Sequence, residues 1–220
     1  MKLIFTLNIV LLSILTSMTS YGQRKMTKEE IFKTWKGFQQ EQNWDSLFRF
    51  EIHGQTRETL DKLLRDGVDT LLVYSVSYPG SVELKKDPCS TRDPIMSYFF
   101  MQHQGNNYFK RVNGKCETAQ FKTSDRLIKF MSSNYEKIKE EFFMNVIYGV
   151  EGQGDDLHIS GSLIAHEPKY EILLQLGNRF KYLRFTESEL TDKKNLFYDY
   201  NRSLTSFKNF ELIKSKIEKI

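Results

Sequence analysis

The side chains best suited to acid–base chemistry are Asp156 and His158, with Ser160 and Glu167 close behind them in the sequence. A general base must titrate near neutrality, and a neighbouring carboxylate orients it. On a strand, Asp156, His158 and Ser160 would share one face, but such neighbours lie about 6.5–7 Å apart, too far for a nucleophile–base hydrogen bond. A polar hairpin face is therefore the favoured interpretation. A hydrolase-like enzyme using Asp156, His158 and Glu167 is the alternative hypothesis.

Two other segments contain residue types found in metal or phosphate sites, but they lack the required spacing. The pair His166-Glu167 precedes Pro168 and has no histidine at position 170, so it does not form the helical H-E-x-x-H zinc motif. The glycine-rich acidic loop at 149–156 lacks the Lys-Ser/Thr of a phosphate-binding loop and the ligand spacing of a calcium-binding loop. We predict no metal site and no cofactor, and we expect this loop to connect a helix to a strand.

Aromatic side chains are concentrated in one predicted hairpin, which contains Tyr98, Phe99, Phe100, Tyr108 and Phe109. Ligand pockets are mostly apolar, with a few polar groups that orient the ligand. Strand alternation sends Tyr98 and Phe100 to one face and Phe99 to the other, so core packing accounts for about half of this set. The candidate ligand-binding residues are Tyr98, Phe100 and Tyr108, in a pocket between the sheet and a helix.

The first residues of the chain have the three-part design of a secretory signal peptide. A short basic start is followed by an apolar run to Leu15, and then by small residues that include Ser20 and Gly22. The apolar run is too short for a comfortable membrane span, and Ser20 and Gly22 occupy the −3 and −1 positions of a cut before Gln23. We expect cleavage after residues 1–22 and export to the periplasm or the medium, without a lipid anchor. An uncleaved membrane anchor is the alternative.

Cys89 and Cys116 are the only cysteines, and an isolated pair in an exported protein predicts a disulfide. The bond would close a loop of about 28 residues, which contributes roughly 3.5 kcal/mol in the chain-entropy model. Neither cysteine lies in a C-x-x-C pair or beside a histidine. Free or catalytic thiols, and metal ligation by two isolated cysteines, therefore fit less well.

The composition is that of a globular domain: 40% of the 220 residues are hydrophobic and 27% are charged, which argues against disorder. Residues 23–220 are enough for a single domain with its own core. The net charge is +4, and the basic residues are scattered among acidic ones, so the concentrated basic stripe of a nucleic-acid-binding protein is missing. The expected partner is a small ligand or another protein.

Helical and strand periodicities alternate along the chain. Apolar alternation and the turns at Gln104-Gly105-Asn106 and Gly177-Asn178 indicate hairpins. The predicted strands are 48–53, 70–78, 95–102, 107–112, 116–121, 157–160, 170–176 and 180–185. The predicted helices are one with a capping box of Thr27 and Glu30, one capped by Thr56 and ending at Gly67, one over 124–144 capped by Ser124, and a segment from Glu189 to the C-terminus broken near 201–203.

This order predicts a single α+β domain, with a mainly antiparallel sheet built from hairpins, flanking helices on one face or at its ends, and a long C-terminal helical segment. The leading functional hypothesis is a non-catalytic ligand- or partner-binding module of the cell envelope or extracellular space. A structural or assembly component, acting through the amphipathic C-terminal helix, is a further alternative.

Overall fold

The structure is a computed structural model, and it describes residues 26–41, 54–79, 89, 95–151, 158–161 and 167–218. Its helices are α1 (Lys28–Glu41), α2 (Gly54–Arg65), α3 (Arg126–Lys139), α4 (Glu187–Thr191), α5 (Tyr198–Ser203) and α6 (Thr205–Ile217). Its strands are β1 (Thr70–Ser77), β2 (Ile95–His103), β3 (Asn106–Asn113), β4 (Cys116–Glu117), β5 (Phe121–Lys122), β6 (Ile147–Glu151), β7 (His158–Gly161), β8 (Lys169–Leu176) and β9 (Arg179–Thr186). The predicted α+β class is confirmed, and the predicted strand at 48–53 lies outside the described residues.

Seven strands form one antiparallel sheet in the order β4-β3-β2-β1-β8-β9, and β5 also pairs with the outer side of β3. Both predicted hairpins are confirmed. In the β8–β9 hairpin, Leu176 pairs with Arg179 across a two-residue turn, and Gly177 takes a positive φ of 60° that a side chain would disfavour. β6 and β7 form a separate two-stranded sheet, in which β6 was not predicted.

Apolar side chains cover both faces of the large sheet, so helices pack on both. Along β2, Tyr98 and Phe100 face α3 and α6, whereas Phe99 and Met101 face α2. The prediction of helices on one face or at the ends of the sheet is therefore wrong. β1 explains the difference, because its six consecutive residues 71–76 are all buried and a one-sided sheet would leave half of them in water.

The predicted start of α1 agrees with the structure, whereas the predicted start of α2 does not. The capping box of α1 is confirmed: Glu30 N–H donates to Thr27 Oγ1 at 3.2 Å, and Thr27 N–H donates to Glu30 Oε2 at 2.8 Å. By contrast, α2 begins at Gly54, and its Thr56 is not a cap. The Thr56 hydroxyl bonds instead to Ser97 on β2 at 2.9 Å, which ties the helix to the sheet.

The helix predicted over 124–144 ends at Lys139, and its N-cap is Asp125, not Ser124. Residues 141–146 belong to neither a helix nor a strand and bury Phe143, Met144 and Val146; Phe143 and Met144 belong to different apolar clusters. A continuing helix would have kept only one face buried. The C-terminal segment forms three helices. The predicted break near 201–203 is confirmed, with Leu204 in an extended conformation between α5 and α6, whereas the interruption between α4 and α5 was not predicted.

The predicted disulfide is present between Cys89 and Cys116, with a Cα–Cα distance of 5.1 Å. Lys115 N–H also donates to the Cys89 carbonyl at 3.1 Å. The bond holds β4 to the segment that precedes β2. In the part of the chain that the structure describes, no helix has the length and apolarity needed to cross a membrane.

Candidate functional site

A surface groove lies where strands β3–β5 meet the C-terminal end of α6. One recess of about 430 Å³ is lined by Tyr98, Phe109, Arg111, Thr118, Phe121 and Ile217. A second recess of about 420 Å³ is lined by Phe109, Phe121, Lys122, Thr123, Ser124 and Lys216. Because both recesses share Phe109 and Phe121, they form one continuous surface, which we call the meander groove. Each recess falls within the size range of small-molecule sites.

Strand register brings the groove residues together. Tyr98 on β2 pairs with Arg111 on β3, and Phe109 on β3 pairs with Phe121 on β5. Phe109 and Arg111 are two residues apart, so they share the sheet face that carries α6. Phe121 lies at the sheet edge and is 52% exposed, although it is a large apolar side chain. The groove therefore presents an aromatic surface to solvent.

The floor of the groove is the end of an aromatic row that crosses five strands. Neighbouring ring centroids in this row lie 5.5–6.3 Å apart, and the members are Phe109, Tyr98, Tyr74, Tyr170 and Phe185. Such spacings are typical of favourable ring contacts. Since Tyr74 and Phe185 lie in the main core, the floor is fixed by core packing and needs no ligand to hold it in place.

Three cationic side chains border this aromatic surface. Within the described ranges, no acidic side chain forms an ion pair with Arg111, Lys122 or Lys216; the Lys216 ammonium lies 3.4 Å from Ser124 Oγ. By contrast, the neighbouring Lys110 forms an ion pair with Glu117. Uncompensated cations beside a low-dielectric surface create a positive potential that attracts anions.

The hydroxyl of Tyr98 adds a polar but uncharged group beside the groove. It donates a hydrogen bond to Met96 Sδ at 3.0 Å. Burial raises the pKa of Tyr98, and the nearby Arg111 guanidinium partly opposes that shift. Tyr98 therefore remains protonated at neutral pH and does not neutralise the charge of Arg111.

The three aromatic candidates from the sequence have different positions. Tyr98 lines the meander groove, whereas Phe100 is 1% exposed and packs within the core. Tyr108 packs against the opposite, α2-facing cluster. Sequence reasoning did not select Phe109, although its spacing from Arg111 places both on one face. Phe121 was also missed, because a residue at the end of a short strand carries no periodic signal.

The residues of the hydrolase hypothesis fall largely outside the described part of the chain. Asp156 and His166 lie outside it, and of His158 only the backbone is described, in β7 opposite Glu151. Glu167 accepts hydrogen bonds from Ser188 N–H and Ser188 Oγ, both at 2.8 Å. These bonds give Glu167 a structural role at the start of α4. The convergence of Asp156, His158 and Glu167 stays a prediction.

Glu189 is the described carboxyl with the most strongly perturbed acidity. Burial is the main cause, and it raises the pKa of Glu189 to about 8. The nearby Glu167 also raises this pKa, whereas a hydrogen bond from Thr186 N–H and the charge of Arg184 lower it. Perturbed acids occur at functional sites, but also in structural networks. Glu189 belongs to the capping box of α4 and lines neither recess of the groove, so we interpret it as structural. In the same ranges, no cluster of three His, Cys, Asp or Glu residues could hold a metal ion.

Comparisons with protein-family models, with curated proteins and with solved structures each return no match to this chain. Its function must therefore be inferred from the groove and from the charges around it.

Proposed function

We propose that this chain is an exported, non-catalytic binding module whose meander groove takes a small amphipathic ligand with an apolar body and an anionic group. The observation that carries this proposal is the position of the exposed Phe121 and the neighbouring Phe109 between cations that have no carboxylate partner in the described part of the chain. A ligand of this class matches the groove in both polarity and charge.

The apolar part of the ligand would supply most of the binding free energy. Each 100 Å² of apolar surface removed from water contributes about 2.5 kcal/mol. Phe121 would bury apolar surface on ligand binding, because about half of its side chain is exposed to water and it borders the groove with Phe109 and Ile217. The preformed floor lowers the entropic cost, since its rings are already ordered by core packing.

The anionic part of the ligand would set its orientation. The guanidinium of Arg111 offers a planar set of donors that suits carboxylate, sulfonate or phosphate oxygens. A charge pair about 4 Å apart near a protein surface is worth roughly 1–4 kcal/mol before its desolvation cost. An anion is therefore favoured over a neutral or cationic ligand with the same apolar part.

Export is supported by the predicted signal peptide over residues 1–22 and by the Cys89–Cys116 disulfide, because disulfides persist in oxidising compartments. The test is the intact mass of the protein recovered from the periplasm or medium of a bacterial host. We expect a mature chain that begins at Gln23. A product that retains Met1 and stays in the cytoplasm would contradict export.

Ligand binding can be tested by fluorescence titration with 8-anilinonaphthalene-1-sulfonate, which combines aromatic rings with one anionic group. We expect saturable enhancement with the native protein, and weaker binding by about fivefold or more for Phe121→Ala and for Arg111→Gln. The matched control is Phe180→Ala, because Phe180 is a 39% exposed phenylalanine on β9 at the other edge of the sheet.

Thermal unfolding of each variant separates loss of binding from loss of folding. The proposal fails if the folded native protein gives no saturable signal. It also fails if Phe180→Ala weakens the signal as much as Phe121→Ala does, since the probe would then be reporting exposed aromatic surface in general.

A further inference from the structure

We infer that the ligand of the meander groove carries two anionic groups separated by an apolar segment, one contacting Arg111 and the other contacting Lys216. This inference rests on the proposed function and specifies its ligand class. The two cations border different recesses, and the aromatic pair Phe109 and Phe121 lies between them. The juxtaposition gives the groove a charge at each end and an apolar middle.

Backbone pairing shows that the two recesses extend in opposite directions along β3. Arg111 is two residues after Phe109. Thr123, which borders the second recess, donates its N–H to the carbonyl of Asn107 at 2.9 Å, two residues before Phe109. Asn107 and Arg111 are four residue positions apart on the strand, which corresponds to about 13 Å. The ligand therefore needs its two anionic groups well apart, with the apolar segment over Phe109.

The second cation is identified by its position on α6. Lys216 borders the recess that contains Ser124, and its neighbour Ile217 borders the recess that contains Arg111. The 3.4 Å approach of the Lys216 ammonium to Ser124 Oγ directs it into that recess. Lys122 borders the same recess, but its strand position alternates with Phe121 and pairs with Tyr108 of the opposite face. We therefore assign the anion contact to Lys216.

Charge compensation favours a dianion over a monoanion. In the part of the chain described, Asp125 pairs with Lys129 and Glu117 pairs with Lys110, whereas no acid pairs with Arg111 or Lys216. A monoanion would leave one of these two cations uncompensated beside a newly buried apolar segment. A dianion compensates both, and complementary charges of this kind set specificity and register.

The test is isothermal titration calorimetry of the mature protein with dodecanedioate and with its monomethyl ester. The two molecules have the same carbon chain and differ by one charge. We expect the dianion to bind about tenfold more tightly, a difference that higher salt reduces. Across alkane dicarboxylates from octanedioate to hexadecanedioate, affinity should pass through a maximum, because the anions must reach both ends of the groove.

Substitutions separate this inference from the proposed function. Arg111→Gln and Lys216→Gln should each bring the affinity for the diacid down to that for the monoester, whereas Lys62→Gln, on the α2 side of the sheet, should change neither. Equal affinities for the two ligands, with both weakened by Phe121→Ala, would overturn the two-ended ligand and leave the proposed function standing. Failure of both ligands to bind, or binding that is insensitive to Phe121→Ala, would overturn both.

Discussion

The carboxylate of Glu141 caps the N-terminus of α6 by accepting hydrogen bonds from Ser206. The N–H and Oγ of Ser206 donate to Glu141 Oε2 at 2.7 and 2.6 Å. Thr205 N–H donates to the other oxygen at 2.8 Å, and Glu141 is only 8% exposed. The first N–H groups of a helix have no partner within it, and a carboxylate suits the positive end of the helix dipole. Since α6 forms one wall of the meander groove, this cap from 64 residues away helps to position the wall.

Replacing Glu141 should therefore destabilise the fold substantially. Glu141→Ala removes charge-assisted hydrogen bonds and leaves buried donors unsatisfied, so we expect the free energy of unfolding in urea to fall by roughly 3 kcal/mol. Glu140→Ala is the matched control, because its side chain is exposed, and it should change the free energy by less than about 0.5 kcal/mol. Similar effects for the two variants would mean that the cap does not stabilise α6.

Protonation of Glu189 should make stability depend on pH. Because burial raises the pKa of Glu189 to about 8 in the folded protein, while the unfolded chain releases this proton near the ordinary value of 4.5, the folded state holds more protons between these values. The free energy of unfolding should then decrease as the pH rises from about 4.5 to 8, by a few kcal/mol from this group.

The measurement is urea denaturation at several pH values for the native protein and for Glu189→Gln, which keeps an acceptor for Thr186 N–H but cannot ionise. The variant should be the more stable protein above pH 8, and its advantage should shrink as the pH falls towards 5. Glu58→Gln, on the exposed side of α2, serves as the control. A constant difference between Glu189→Gln and the native protein over this range would contradict the prediction.

The disulfide should stabilise both the fold and the groove edge. The double variant Cys89→Ser/Cys116→Ser opens a loop with a sequence separation of 27, so we expect a loss of about 3.5 kcal/mol in unfolding free energy. Hydrogen exchange of Thr118 N–H, which donates to the Arg111 carbonyl at 2.8 Å, should also accelerate because it lies two residues beyond Cys116. Reductant should reproduce both effects in the native protein and have none in the variant.

Local patterns predicted much of the fold. The capping box of Thr27 and Glu30, the Gly177-Asn178 hairpin and the alternation of Tyr98 with Phe99 are decided by residues close in sequence, and the structure has all three. The errors arise where distant contacts override local preference. The helix after Asp125 stops early, and the non-helical segment beyond it places Glu141 at the N-terminus of α6.

The groove could be predicted only in part for the same reason. Tyr98 was selected from its aromatic neighbours, and it does line the groove. The rest of the site depends on the C-terminal end of α6, which places Ile217 and Lys216 beside residues about a hundred positions earlier in the chain. No local periodicity encodes such a contact. The same holds for Arg111, which has no carboxylate partner among the described residues; only the positions of the surrounding acids reveal this.

The most direct test of the central claim is a ¹H–¹⁵N correlation spectrum of the mature protein during titration with dodecanedioate. If the meander groove is the binding site, saturable shift changes should be concentrated at the amides of Phe109, Arg111, Thr118, Phe121 and Lys216, and they should disappear in Phe121→Ala. Shift changes confined to other surfaces, such as the surroundings of Phe180 on β9, or no saturable change at millimolar ligand, would contradict the assignment of this groove as the functional site.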